Sequence, residues 1–378
     1  MQLSPALAAT GTYPFVKLDE AKRRLAADGV PLIDFGKGDP QEPTDALIRD
    51  AVAANITEVS SYPLAEGLPE LREAVAGWCG RRFGVELDPA TEIVPTYGSK
   101  EAIFLLAQVV VDPDGDKPLV VTTQPGYPVP DRGALFAGAE VEQLPLLEDN
   151  AFLPDLEAVP AETWERAAIV WINYPNNPTG ATAPVEFLRQ LAELSREHDF
   201  LLASDEAYTE LWFDVPPHSA LEVREHGNVV VFNTLSKRSS MTGYRSGFVA
   251  ASPDVIAALK QYRPSVGTAP QEFVQRASVV AWNDEAHVER TRAAYGRKRD
   301  ALLPTFERKG LRVAGGSATM FLWVEAPSDD FAERLLDHGI IVSPGTFLGP
   351  AGEGYCRFAL VPTLEECERA GRILEDVL

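Results

Sequence analysis

One lysine in this chain is set for chemistry. Lys237 stands between two apolar runs, Val229 to Phe232 and Phe248 to Ala251, that carry the pattern of buried strands. Small hydroxyl residues, Gly243, Gly247 and Arg245 fill the gap between them. Thr234 and Ser236 flank the lysine, and Arg245 follows beyond a glycine-containing turn. Hydroxyls and an arginine fork are the donors that a phosphate monoester needs. A surface loop between two strands uses the same residue types, so composition alone leaves both readings open. The spacing favours a phosphate beside a lysine amine, and pyridoxal phosphate meets both groups at once, its aldehyde condensing with the amine.

The run Ser236-Lys237-Arg238-Ser239-Ser240-Met241-Thr242-Gly243-Tyr244-Arg245-Ser246-Gly247 resembles the lysine signature of the fold-type I pyridoxal-phosphate aminotransferases, class I/II. Other motifs of that family recur in its order along nearly the whole chain, a more specific match than any one motif. The resemblance implies that the backbone N–H of Gly38, in Gly36-Lys37-Gly38-Asp39-Pro40, meets the substrate carboxylate. It implies that Tyr62, ahead of Gly67-Leu68-Pro69-Glu70-Leu71-Arg72, crosses a homodimer interface to the partner's cofactor phosphate, so that the two active sites are shared. Tyr127 would stack on the pyridine ring, and the amide of Asn177, in Asn177-Pro178-Thr179-Gly180, would meet the cofactor's phenolic oxygen. Asp205 would keep the ring nitrogen protonated, because an opposite charge in a partly desolvated site favours the cation, and Tyr208 would bond the phenolic oxygen. Arg357, an arginine inside the apolar run Tyr355 to Leu360, would pair with the substrate α-carboxylate.

The elements that must position these residues are legible from periodicity. Glu92 to Pro95 reads as a strand leading through Thr96-Tyr97-Gly98 to a helix that begins at Ser99 and Lys100. A helix N-terminus after a small-residue turn is an anion site, and Ser99 and Lys100 are expected to donate mainly through their backbones. Ala167 to Ile172 is continuously apolar, as a parallel strand buried on both faces should be. Asp205 ends the strand Phe200 to Ser204, where α/β sheets place their ligands, although a helix N-cap is an equally ordinary use of aspartate there. A helix is expected over Thr44 to Thr57 with Thr44 as its cap, another from Pro69, and a short one over Val16 to Ala27 behind the arm Thr12-Tyr13-Pro14-Phe15. Strands alternate with helices from about 90 to 250, which predicts an α/β fold with a mostly parallel sheet and a smaller α+β domain after it. The expected division is an N-terminal arm over 1–40 joining the small domain, a large cofactor-binding domain over 41–275 and a small domain over 276–378.

Composition narrows the partners. The net charge of −22 and pI near 4.7 argue against nucleic acid or an anionic membrane, both of which call for a basic surface. Cys79, Cys356 and Cys367 form no disulfide framework, and the N-terminus lacks a signal-peptide pattern, so a cytoplasmic protein is expected. The five histidines have no metal-ligand spacing, and no metal is expected.

The activity implied by the resemblance is ping-pong transfer of an amino group from an amino acid to 2-oxoglutarate. Within the family, Tyr13-Pro14-Phe15, the Ser236 to Ser239 core with Gly243 to Ala250, and Arg357-Phe358-Ala359-Leu360-Val361 look like the N-succinyldiaminopimelate aminotransferases of bacterial lysine biosynthesis. That donor carries extra carboxylates, for which Lys37, Lys100 and Arg238 are candidate partners. LL-diaminopimelate or aspartate transamination would keep every residue above and change only the outer pocket. A C–S β-lyase would use the same lysine and aspartate without an oxo-acid acceptor.

Overall fold

Chain order here brings polar residues from distant segments to one edge of a sheet. The structure is a computed structural model, and it describes residues 4–9, 20, 22, 23, 25, 27, 29–267 and 269–377. The strands are β1 (Ile33–Asp34), β2 (Ile93–Thr96), β3 (Leu119–Gln124), β4 (Glu140–Pro145), β5 (Ala167–Asn173), β6 (Leu201–Asp205), β7 (Val229–Thr234), β8 (Gly247–Ala251), β9 (Val313–Ala314), β10 (Phe321–Glu325), β11 (Ile340–Ile341), β12 (Ser343–Pro344) and β13 (Tyr355–Ala359). Seven of them form one sheet in the order β2-β8-β7-β6-β5-β3-β4. All neighbours run parallel except β8, which is antiparallel to both β2 and β7.

Both faces of this sheet are covered, which is why β5, β7 and β8 are buried at every residue and read as unbroken apolar runs. Alternation divides each strand between the two layers. Val229 and Val231 pack with Trp78, Leu191 and Trp282, while Val230 and Phe232 pack on the other side with Ile103, Leu106 and Leu259. A third core lies around a smaller sheet, β12-β13-β10-β9, with helices Ala286–Arg308, Phe331–Asp337 and Leu364–Val377. Ile33 and Phe35 belong to that core, and β1 pairs in parallel with β11. The N-terminal segment thus closes against C-terminal strands.

One expectation, the cap of a helix, is refined. Asp45, not Thr44, caps helix Ala46–Ala54: its side chain accepts from the Leu47 amide at 3.0 Å, while the Thr44 hydroxyl donates to the Ser240 carbonyl at 2.6 Å. The boundary drawn at 275/276 falls inside helix Glu272–Asn283, whose Ala277, Ala281 and Trp282 share the core of helix Pro69–Phe83. The arm Thr12 to Phe15 lies outside the described residues. Of the Val16 to Ala27 helix only Glu20, Lys22, Arg23, Leu25 and Ala27 are described, all of them helical.

Candidate active site

The carboxyl ends of β5, β6 and β7 lie side by side, Asn173 opposite Asp205 and Asp205 opposite Phe232. The reversal of β8 brings its first residue, Gly247, to the same edge, between Thr96 and Thr234. Parts of the smaller core close over this edge and leave a cavity of about 400 Å³. Gly38, Ser99, Lys100, Tyr127, Asn177, Asp205, Tyr208, Thr234, Ser236, Lys237, Arg245 and Arg357 all line it. Tyr62 does not; it stands fully exposed on the loop before helix Pro69–Phe83.

Lys237 sits in the single turn Leu235–Arg238, capped by Thr234, whose hydroxyl accepts from the Ser236 amide at 3.1 Å. Its Nζ donates to the Gly38 carbonyl at 2.5 Å. The side chain is partly exposed to the cavity, yet the surrounding protein desolvates the ammonium and brings its pKa down to about 8, against the opposing field of Asp39.

The two residues after Lys237 fasten its turn to the helices behind it. Arg238, one of the cations proposed for the cavity mouth, is not there. It is buried between the rings of Trp78 and Trp282, 5.8 and 5.0 Å from their centroids, and bonds Glu285 at 2.9 Å and the Ala281 carbonyl at 2.6 Å. An arginine stem and planar fork satisfy that apolar slot, which the sequence around Lys237 does not reveal. Ser239 meets His287 Nε2 at 2.8 Å, and His287 Nδ1 meets Asp284 at 2.7 Å. This chain has the bonding order of a hydrolase triad. Ser239 and His287 are buried away from the cavity, so the chain is an anchor; burial holds the imidazole below its usual pKa.

An anion cradle forms at the start of helix Ser99–Val110. Gly98 precedes it with φ of 72°, and a Cβ there would run into the Arg245 guanidinium. Arg245 itself adopts φ of 58°, a left-handed conformation disfavoured by about 1 kcal/mol or more for a residue with a Cβ. Its guanidinium is held by the carbonyls of Thr242 and Tyr97, at 2.8 and 3.2 Å. Ser99, Lys100, Thr234, Ser236 and Arg245 all line the cavity at this helix start, where unpaired amides favour an anion.

Asp205 is buried at the end of β6, and burial pushes its carboxyl up to about 7. Its carbonyl accepts from the Asn173 side chain at 2.8 Å, and Asn173 Oδ1 accepts from the backbone N–H of Asn177, also at 2.8 Å. Asn177 Oδ1 in turn accepts from Arg357 at 2.9 Å, which turns its own NH₂ to other partners. Arg357 also bonds the Gly36 carbonyl at 2.9 Å and stacks 4.5 Å from the Phe321 ring. Asn173 was missed by sequence reasoning, although a polar residue closing a continuous apolar strand is a readable signal. Asp39, Thr242, Ala207, Phe321 and Leu348 also line the cavity; Phe321 and Leu348 lie in the smaller fold unit, and nothing local in the sequence points them inward.

A family model for aminotransferase class I and II matches residues 30–374. The chain belongs to that family. The LL-diaminopimelate aminotransferase of Nitratidesulfovibrio vulgaris strain DP4 is 38% identical over 380 residues, spanning 98% of this chain and 97% of the relative. A single mutant of Thermus thermophilus aspartate aminotransferase superposes with a TM-score of 0.92 at 31% identity over the whole of both chains. A probable N-succinyldiaminopimelate aminotransferase, also from Thermus thermophilus, superposes with a TM-score of 0.87 at 31% identity, covering 96% of this chain and 100% of that one. As an aminotransferase the protein acts on amino and oxo acids. No helix among the described residues is long and apolar enough to cross a membrane.

Proposed function

We propose that this aminotransferase uses pyridoxal phosphate to move an amino group from a diaminopimelate to 2-oxoglutarate. The observation that carries the reading is one cavity shared by a lysine amine, a buried carboxylate, an anion cradle and a buried arginine. The residues fit the cofactor. Gly98 lets the Arg245 guanidinium lie against the start of the helix, where a Cβ would block it, so that fork and helix start supply donors for a phosphate, and Asp205 is a buried acid without a salt-bridge partner among the described residues. Ser99, Lys100, Thr234, Ser236 and Arg245 would hold the phosphate, Tyr127 the ring face, Asp205 the ring nitrogen, Asn177 and Tyr208 the phenolic oxygen, and Lys237 the aldehyde carbon. When bound, the cofactor supplies a conjugated ring that takes up electron density from the substrate's α-carbon.

The protein's own residues do the rest. Arg357 binds the α-carboxylate as a bidentate fork, with the Gly38 backbone beside it, and so fixes the donor's orientation. The Lys237 amine takes the proton from the α-carbon as a base and returns it as an acid; a pKa of about 8 places it within reach of both roles near neutral pH. Burial raises the Tyr208 hydroxyl pKa, so it stays protonated and donates. Asp205 gains a cationic partner in the ring nitrogen, which offsets the cost of burying its charge. Tyr62 reaches outward from its own subunit, and a homodimer in which it completes the partner's phosphate site accounts for a fully exposed tyrosine at that place. A cytoplasmic setting follows from a role in amino-acid biosynthesis.

Free LL-diaminopimelate is the first reading of the donor, because the relatives at 37 to 39% identity carry that activity in their names. The N-succinylated donor is the second, favoured by the Thermus structure and by the two lysines, Lys37 and Lys100, that line the cavity. The deciding experiment is a single-turnover absorbance titration of the purified holoenzyme with both donors, aspartate and cystathionine. Loss of the visible cofactor band at lowest concentration with free LL-diaminopimelate is the expected result. A lower requirement for the succinylated form selects the second reading, and pyruvate release from cystathionine without amino transfer overturns both.

A further inference from the structure

The short segment Gly36 to Asp39 is tied to the reaction apparatus through its backbone. The Gly36 carbonyl accepts from Arg357 at 2.9 Å and from the Ser343 hydroxyl at 2.6 Å, and the Gly38 carbonyl accepts from Lys237. Gly38 also presses on Phe321, where a Cβ would come within 2.8 Å of the ring. Pro40 restrains Asp39 to extended conformations. Side chains on a segment pinned this way are placed rather than free to roam. The two it carries, Lys37 and Asp39, have opposite charge and both line the cavity. Asp39 is near enough for its field to act on Lys237.

We infer that Lys37 and Asp39 are specificity-determining residues that read the far end of the donor as an amino-acid zwitterion, Lys37 taking the distal carboxylate and Asp39 the distal ammonium. This rests on the diaminopimelate reading above and sharpens it. A donor with one free amino-acid group at each end presents both charges to the loop. An N-acylated donor has lost the ammonium, and leaves Asp39 facing carboxylates alone, a like-charge contact that disfavours it. Aspartate is too short to present a second amino-acid group at all. Arg357 would hold the near carboxylate, so the same guanidinium that grips the substrate also fixes, through Gly36, the loop that inspects its other end.

The test uses five donors with the holoenzyme: LL-diaminopimelate, L-2-aminopimelate, which lacks the distal amine, L-lysine, which lacks the distal carboxylate, N-succinyl-LL-diaminopimelate and L-aspartate. For Asp39→Asn the kcat/KM ratio of LL-diaminopimelate to L-2-aminopimelate should fall about tenfold, and for Lys37→Gln the ratio of LL-diaminopimelate to L-lysine should fall by a similar factor. Asp39→Asn should also improve the succinylated donor relative to the free one. Because Asp39 acts on Lys237, its loss can also shift the pH profile; that effect is common to all donors and cancels in the ratios. Unchanged ratios in both variants overturn the assignment of the pair while leaving the diaminopimelate reading intact. A wild-type enzyme that turns over aspartate but no seven-carbon donor overturns that reading and the pair together.

Discussion

Two buried charged residues carry separate expectations. Arg357 gives one fork to an amide oxygen and a backbone carbonyl, and Arg357→Ala should raise the KM of both donor and acceptor about a hundredfold, since charged hydrogen bonds are worth roughly 1.5–3 kcal/mol each. Steady-state kinetics with each substrate varied will show it; a defect in only one half-reaction rules out the carboxylate role. Glu206, next to Asp205, accepts from Ser204 at 3.0 Å and the Ala220 amide at 2.8 Å through one oxygen, while its other oxygen is buried without a partner. Burial pushes this carboxyl up to about 7 from an unfolded value near 4.5. The native state therefore holds the proton more tightly than the unfolded state, and the group costs stability as pH rises from about 4.5 through 7. Glu206→Gln should raise the melting temperature by about 2–4 °C at pH 8 and by much less at pH 5; an equal gain at both pH values would show that its ionisation is not the cause. At this scale the sequence spoke most directly at Asp205 and Arg357, where a polar residue closes or interrupts an apolar run, while Lys237 and Asn177 were reached through the order of the family's motifs; all four line one cavity. Arg238 was misjudged because nothing local distinguishes a cation facing solvent from one inserted between Trp78 and Trp282, residues roughly 160 and 44 positions away.

At the level of elements, the seven-stranded sheet was foreshadowed by its unbroken apolar strands, whereas the direction of β8 was not. Reversing a strand that is buried on both faces leaves the same apolar pattern, yet it is this reversal that brings Arg245 alongside Gly98. The junction of that strand with helix Ser99–Val110 allows a direct test. Gly98→Ala adds a Cβ at φ of 72° against the Arg245 guanidinium, and should weaken cofactor affinity about tenfold by displacing the fork from the cradle. Equilibrium titration of apoenzyme with pyridoxal phosphate measures this, with inorganic phosphate competition as a second readout. Unaltered affinity would mean that Arg245 does not bind the phosphate. Helix ends were less legible than helix bodies, as the exchange of Thr44 for Asp45 at one cap shows: either residue can accept the bond, and only the tertiary partner of Thr44, the Ser240 carbonyl, decides between them.

At the scale of the whole molecule, the exposed Tyr62 leads to a complementation experiment. If Tyr62 serves the partner's site, a mixed dimer of Lys237→Ala and Tyr62→Ala subunits contains one site with both defects and one intact site. Random mixing should then restore about a quarter of wild-type turnover, well above either parent, because half the dimers are mixed and each has half its sites intact. No gain over the parents would assign Tyr62 to its own subunit or to none. The division into units was legible from the switch between an alternating strand–helix pattern and a charged helical one. The boundary expected at 275/276 falls within helix Glu272–Asn283, which packs with Trp78. The loop from Gly36 to Asp39 bears on descent as well as on mechanism. It is moored by the backbone carbonyls of Gly36 and Gly38. Descent can therefore vary the side chains at 37 and 39 on a loop whose moorings are main-chain atoms, and an exchange at 39 carries a second effect, because the charge there also tunes Lys237.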